Sequence, residues 1–521
     1  MGKAGIEKTS KKSPAIRTAA QTAVLMAILT LVSKLFGFVR EMVFAAYFGA
    51  GYVMDAYSMA QSIPNMLFSG ILQATAVSFM PLFSEKNEKD TKEAGNNFVS
   101  DVLNLLVKIS VLLGIFGIVF SEQLVGIFAH GFNEEQAELT AFFLKVSFIY
   151  LIFNSCNGVL RNYLEYKGVF LRPILFGYVQ NLIIILCAVF AAYSNERYLI
   201  FGMFFSYLMC MIFFVHLAGK EGFKWKFSLK HSGTVATQIL ALALPAFVGG
   251  YVATINTYVD KSLASGLPEG SVAALGYAVT IVGLVNGLTV AIISTIIFPR
   301  LNQARAQGDL LYYNELLSGG FNLYAIISVP CGMGAMIFAN EIVQVIYERG
   351  VFDAAATSMT AVALFWYGPH LCLSQLNNQS IFAFQTNKDM KTPMYVGFVS
   401  VAVNIALNII LVRRMGIGGI ALATSIAAGV SLLLSVLLLK KKFPNLRLVE
   451  SYVKIAGIVL FAAISVGVGR IIYSSLLKVI WMPRMCYLGI AIATTAIIYY
   501  LILNMANVRE MQMVKQIFNR K

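Results

Sequence analysis

Apolar runs long enough to cross a bilayer recur along the whole of this chain, separated by short polar loops, and that alternation limits the fold before any motif is read. Hydrocarbon offers the backbone no hydrogen-bond partner, so segments that cross it are helices or the strands of a closed barrel. Continuous apolar runs select helices. Fourteen spans are predicted. They lie near 18–48, 53–83, 97–121, 137–164, 170–193, 196–219, 234–265, 271–301, 315–340, 355–385, 393–413, 417–439, 451–475 and 485–507. With 58% hydrophobic and only 12% charged residues among 521, the chain is too apolar for a soluble protein of this length.

The net charge of +15 points to the membrane surface and not to nucleic acid, because the basic residues occupy short loops instead of one basic domain. One set of loops holds Lys3, Lys8, Lys11, Lys12, Lys86, Lys89, Lys92, Lys167, the stretch from Lys220 to Lys230, Arg305, Lys388, Lys391, Lys440 to Lys442 and the tail from Arg509 to Lys521. The opposite set holds little beyond Arg197, Lys261, Arg349, Arg413, Arg414, Lys478 and Arg484. The positive-inside rule then predicts a multi-pass cell-membrane protein with both termini cytoplasmic and an uncleaved first span. The six cysteines fall in or beside apolar runs without metal-type or paired spacing, so no disulfide framework is expected.

The chain repeats itself. Phe79-Met80-Pro81-Leu82-Phe83 matches Ile297-Phe298-Pro299-Arg300-Leu301, and Leu124-Val125-Gly126-Ile127-Phe128 matches Ile342-Val343-Gln344-Val345-Ile346, both at an offset of about 219 residues. Six spans separate equivalent positions, so the halves share one orientation. The expected fold is all-α: an N-terminal lobe over 1–222, a C-terminal lobe over 223–442, a central cavity between them, and two extra helices with a tail over 443–521.

Charges inside spans mark the candidate site. Lys34, Arg40 and Glu41 lie in an apolar segment where each charge costs about 2.5–3.5 kcal/mol at the bilayer centre, and charges kept at such cost face water, a partner or cargo. Lys34 and Glu41 share a helix face two turns apart, while Arg40 points about 120° away, with Gly37 between them as a place for a bend. Arg161 adds positive charge, and Glu41 and Asp55 would partly neutralise the site when empty. Such charge suits a phosphate-bearing cargo. The tenth span carries His370, Gln375, Asn377, Asn378 and Gln379, which fit either a wet cavity that handles sugars or polar contacts between helices. Asp260, with Asn404, Asn408 and Thr424, offers oxygens to a small hard cation such as sodium, or polar glue between helices. No nucleotide-binding loop, metalloprotease helix or nucleophile elbow is present, so no enzyme is expected.

The run Ser33-Lys34-Leu35-Phe36-Gly37-Phe38-Val39-Arg40-Glu41, with Phe48-Gly49-Ala50-Gly51, Asp55-Ala56-Tyr57 and Ile63-Pro64-Asn65, resembles the start of the MurJ/MviN family. Tyr347-Glu348-Arg349-Gly350-Val351-Phe352-Asp353 and Asp389-Met390-Lys391-Thr392-Pro393 extend the likeness along nearly the whole chain. The resemblance implies a lipid II flippase of the multidrug/oligosaccharidyl-lipid/polysaccharide exporter superfamily. Such a protein moves an undecaprenyl-diphosphate-linked peptidoglycan precursor outward by alternating access, for cell wall biogenesis.

It further implies that Lys34 and Arg40 meet the diphosphate, that Asn65 and Gln73 belong to the substrate-facing set, and that sodium is held by Asp260, Asn404, Asn408 and Thr424. Expected partners are the lipid-linked glycan, membrane lipids and the cell-wall synthesis machinery, with no further cofactor. Met66-Leu67-Phe68-Ser69 and Tyr277-Ala278-Val279-Thr280 lack the arginines common in the family, so a less basic cavity is expected. Alternatives are a flippase for another polyprenyl-diphosphate oligosaccharide and a cation-coupled drug antiporter.

Overall fold

A computed structural model describes residues 14–228, 232–444, 449–479 and 482–506. The lysines Lys3, Lys8, Lys11, Lys12 and Lys230 and the tail from Arg509 to Lys521 lie outside the described residues.

The first half comprises α1 (Pro14–Phe48), α2 (Tyr52–Glu85), α3 (Lys92–Val119), α4 (Ser121–Phe128), α5 (Glu134–Tyr166), α6 (Leu171–Tyr193) and α7 (Phe201–Lys220). The second comprises α8 (Ser232–Ser265), α9 (Ser271–Gln307), α10 (Leu310–Ile337), α11 (Ala339–Tyr347), α12 (Ala354–Thr386), α13 (Lys391–Met415) and α14 (Ile417–Lys442). Two more follow, α15 (Val449–Val479) and α16 (Arg484–Met505). No strand occurs among the described residues.

Among the described residues, eleven helices are long and apolar enough, by length and composition, to cross a membrane. α1, α8 and α12 are not among them; they carry Lys34 and Arg40, Asp260 and Lys261, and the amides beside His370. At 33 to 35 residues each, they still reach about 50 Å at 1.5 Å per residue.

The two halves are built alike. The short α4 and α11 fall where the two matched apolar stretches lie, and each follows a long helix without a true loop. Pro81 and Pro299 sit inside α2 and α9. Asn133 and Asp353 cap the N-termini of α5 and α12, each side chain accepting a backbone N–H three residues on. In the first half α5 packs against α2, α3 and α7, and α6 against α1 and α7; in the second α12 packs against α9, α10 and α14, and α13 against α8 and α14. Outward-facing side chains such as Leu112, Leu186, Phe190, Ile410 and Leu433 are exposed, as expected where the solvent is lipid.

Residues after α7 are tied back to α3 of the first half. The Trp225 indole donates to Asn104 Oδ1 at 2.9 Å, and the Asn104 amide donates to the Lys226 carbonyl at 2.9 Å, fixing the connection along α3. The extra helices are anchored by charge. Arg470 pairs with Glu341 and lies over the Phe338 and Tyr473 rings, Arg484 pairs with Glu348 at 3.2 Å, and Tyr499 donates to the Ile326 carbonyl.

The lobes are joined tightly at the end that carries the α1–α2 turn. Val351 donates its backbone N–H to the Ala46 carbonyl at 3.0 Å, Tyr277 donates its hydroxyl to the Gly49 carbonyl at 2.9 Å, and Glu269 accepts from the Tyr52 N–H at 3.1 Å. Tyr277, Tyr347 and Phe352 pack as a ring cluster beneath these bonds. The approach requires glycine: Gly270 and Gly350 have φ of 84° and 61°, and a Cβ on either would collide with the Ala50 or Ala46 carbonyl oxygen. Gly270→Ala should therefore cost at least the ~1–2 kcal/mol of a left-handed alanine and lower the thermal midpoint in detergent. Gly276→Ala, whose Cβ meets open space, should not.

Beyond the helices at the other end, Lys442 clips the α12–α13 turn, donating to Asp389 Oδ2 at 2.6 Å. Slight burial pulls the Asp389 carboxyl up, but hydrogen bonds from Lys442 and Thr392 prevail and hold it at about 2. A depressed folded value contributes stability above the unfolded value of about 4, lost as pH falls from there through about 2. Lys442→Ala should reduce that pH-dependent part, by under ~1 kcal/mol for so exposed a pair, in acid-titrated thermal melts, leaving the share that Thr392 supplies.

Candidate functional site: a polar chamber between the lobes

A cavity of about 500 Å³ lies between the lobes, walled by α1, α2, α8, α9, α12 and α14. Arg40 and Glu41 enter it from α1, Ser58 and Gln61 from α2, and Asp260 and Lys261 from α8. Asn286 and His370 belong both to this cavity and to an adjoining one of about 450 Å³, whose wall also includes Lys34, Gln375 and Asn378. Lys34 in turn borders a third cavity, of about 560 Å³, inside the first lobe.

The two cations of α1 are held differently. Arg40 is clasped by its neighbour, donating Nη2 to Glu41 Oε1 at 2.7 Å and Nε to the same oxygen at 3.2 Å, and it reaches Asn181 Oδ1 at 3.4 Å. Its guanidinium lies over the Phe44 ring. Lys34 points at α9, where Gly287 leaves it room: a Cβ there would stand 3.0 Å from the Lys34 amine. α1 thus carries positive charge into the polar space without being broken at Gly37.

In α12 the amides divide. Gln375 donates to Asn286 Oδ1 at 2.6 Å and keeps its own Oε1 buried and unpaired, while Asn378 lines the adjoining cavity. Asn377 and Gln379 face away, bonding Ser431 of α14 and the Leu317 carbonyl of α10. N-terminal to these amides, Pro369 lies inside α12 and removes an N–H from its hydrogen-bond ladder. Ser425 of α14 bridges the next rung, accepting from the His370 N–H at 3.1 Å and donating to the Trp366 carbonyl. His370 Nδ1 is left buried without a partner.

Asp260, Asn404, Asn408 and Thr424 converge. Asn408 donates to Asp260 Oδ1 at 2.6 Å and Thr424 donates to Asp260 Oδ2 at 3.4 Å, while the Asn404 side-chain amide lies 2.7 Å from that of Asn408 and 3.1 Å from the Thr424 hydroxyl. Asp260 is 8% exposed and Asn404 and Asn408 at most 1%, and Asn408 Oδ1 has no partner. One carboxylate, amide and hydroxyl oxygens and an orphaned carbonyl oxygen form a donor set that fits a small hard cation.

Other expected contacts lie elsewhere. Asp55 faces the seam and not the chamber. It is 2% exposed and both oxygens are occupied, accepting the backbone N–H of Gly270 and of Ala273 at 2.7 Å each. It caps α9 from the opposite lobe, so no oxygen is spare for cargo. Asn65 is exposed and donates to the Gln61 carbonyl of its own helix. Gln73 and Arg161 line the cavity inside the first lobe, where Arg161 pairs with Glu165 at 2.8 Å.

Lys261 needs the opposite correction. Its charge and its place near a span end put it with the loop residues, but its amine is turned inward, across to Ser58 and Ser62 of α2. The available signal was its position one turn inside the expected end of the seventh span, directly after Asp260.

Two helical lobes bonded at one end, with polar and charged residues at a chamber between them, define a two-lobed membrane transporter of polytopic helical build. The chain belongs to the lipid II flippase MurJ family, whose model matches residues 44–487. Similar proteins include a probable lipid II flippase MurJ of Rhizobium meliloti, 29% identical over 419 residues, with 78% of this chain and 77% of that protein covered. One from Rickettsia prowazekii is 27% identical over 417 residues, covering 78% and 81%.

A solved structure described as lipid II flippase MurJ in an inward closed conformation superposes with a TM-score of 0.80 at 25% identity, over 94% of this chain and 99% of that one. An inward-facing multidrug resistance MATE family transporter shares the fold, with a TM-score of 0.66 at 14% identity over 81% and 98%.

The seam gives the sharpest test of this geometry. Asp55→Ala strands two buried N–H groups at about 1–3 kcal/mol each. A cysteine placed at the buried position Ala273 should then react faster with an impermeant maleimide, with Asp55→Asn intermediate.

Proposed function

We propose that this chain carries lipid II from the inner to the outer leaflet of the bacterial cell membrane by alternating access, in the state closed toward the outside. The observation that carries this reading is the position of Lys34 and Arg40, two cations of the leading helix set at polar cavities between lobes that are bonded together at one end. An ammonium and a guanidinium in a medium of low dielectric attract a diphosphate far more strongly than they would in water. The sugar-peptide head finds amide and imidazole partners in Asn286, Gln375, Asn378 and His370. The prenyl tail stays in lipid beside the exposed apolar face of α1, which includes Leu31, Leu35 and Val39.

Loading requires entry from the inner side. Release requires Asp55 to let go of the α9 N-terminus and the ring cluster to part, after which the lobes close behind the cargo. Both chain ends are read as cytoplasmic, which places the bonded seam on the outer side and delivers the head to the cell-wall synthesis machinery. Asp260, Asn404, Asn408 and Thr424 would hold sodium, which would supply a positive charge against the Asp260 carboxylate.

The test is transbilayer movement of lipid II in liposomes that contain only this protein. Lys34→Ala and Arg40→Ala should each slow it at least tenfold. In cells depleted of their own lipid II flippase, Arg40→Ala should accumulate normally yet fail to support growth. Full rescue by Arg40→Ala would remove the diphosphate assignment.

A further inference from the structure

The cations at these cavities differ in how their charge is answered. Arg40 is neutralised by Glu41. Lys261 is not: its Nζ donates to Ser58 Oγ at 2.8 Å and Ser62 Oγ at 2.7 Å and stands 3.5 Å from the Ser58 carbonyl, all neutral acceptors. Among the described residues no carboxylate lies within ion-pair distance of it. The two carboxylates that share its cavity make their hydrogen bonds elsewhere, Glu41 with Arg40 and Asp260 with Asn408 and Thr424, so Glu41 acts on the ammonium only from a distance. Its sequence neighbour Asp260 points to the other side of α8, toward α13 and α14.

Holding an ammonium in such a place without a counter-charge is costly, and the cost is recovered when an anion arrives. The contact also has a mechanical meaning. Lys261 belongs to the second lobe and both serines to the first, so its hydrogen bonds bridge the lobes. The serines are arranged to give it up cheaply. Ser62 already spends its own proton on the Ser58 carbonyl at 2.7 Å, so the pair keeps an internal bond when the ammonium leaves.

We propose that Lys261 forms a phosphate-binding site on the α2–α8 face of the chamber, where the diphosphate of a lipid-linked cargo takes the ammonium in exchange for Ser58 and Ser62. This rests on the transport reading above and adds a cation from the second lobe, in a chain whose α9 has no charge from Tyr277 to Thr280. Cargo binding then breaks an inter-lobe bond in the act of making its own, so loading loosens α2 from α8. A lysine suits this role because a compact ammonium on a flexible stem changes partners without a fixed fork geometry.

The test is equilibrium binding to the purified full chain, with undecaprenyl diphosphate, uncharged undecaprenol and inorganic diphosphate as probes. Lys261→Gln should weaken undecaprenyl diphosphate at least tenfold and leave undecaprenol unchanged, while Lys261→Arg stays within threefold of the parent. Ser58→Ala with Ser62→Ala should tighten undecaprenyl diphosphate severalfold, because the resting competitor is gone, a gain that a merely structural lysine would not give. Inorganic diphosphate bound with the same dependence on Lys261 would identify the phosphate group itself as the ligand; Lys261-dependent binding of the lipid form alone would identify the lipid headgroup. Parent-like affinity in Lys261→Gln, or equal loss of both lipids together with thermal stability, overturns the site while the flippase reading stands. A parent protein that binds none of the three probes removes both.

Discussion

The carboxylate of Asp55 reaching across to the first turn of α9 is the contact on which the form of this molecule depends. A helix begins with N–H groups that have no partner within the helix, and its dipole places partial positive charge there. Here the partner is supplied by the other lobe. What is elsewhere a local capping problem becomes a bond between bodies, reinforced by Tyr277, Glu269 and Val351 and made possible by two glycines that let backbones meet. Because this end is bonded, the polar space between the lobes is a chamber with a floor.

The chamber is charged unevenly. Arg40 and Glu41 form a pair that is nearly self-sufficient, with Asn181 and Phe44 fixing the guanidinium. Lys34 and Lys261 carry the excess, one from each lobe and each near small or neutral groups, Gly287 in one case and serines in the other. Asp260 is the counterpart, a carboxylate surrounded by neutral donors on the far side of α8. A cation and a carboxylate that each hydrogen-bond only neutral groups thus occupy adjacent residues of one helix, directed to different walls.

Much of this was legible in the sequence. The helical spans, the repeat that places α4 and α11, and the charges of α1 could be read because apolar surroundings make a lysine or arginine conspicuous. The convergence of Asp260, Asn404, Asn408 and Thr424 was legible through resemblance, with the spacing of Asn404 and Asn408 giving only a shared helix face. Asp55 and Lys261 were misplaced for one physical reason. A polar residue close to a span end turns toward water or toward a neighbouring helix according to where that neighbour stands, and a single helix does not record it. The amides of α12 show the same limit: Gln375 and Asn378 meet the chamber while Asn377 and Gln379 make helix contacts, a split set by their angle around the helix.

Pro369 removes an N–H from α12, and at the next rung the hydroxyl between the His370 N–H and the Trp366 carbonyl belongs to α14. A break closed by its own chain would let α12 flex alone; one closed by a borrowed hydroxyl yokes two helices at the depth of the chamber. A swivel of α12 at that level is therefore coupled to α14 through the Ser425 hydroxyl, beside His370 in the chamber wall.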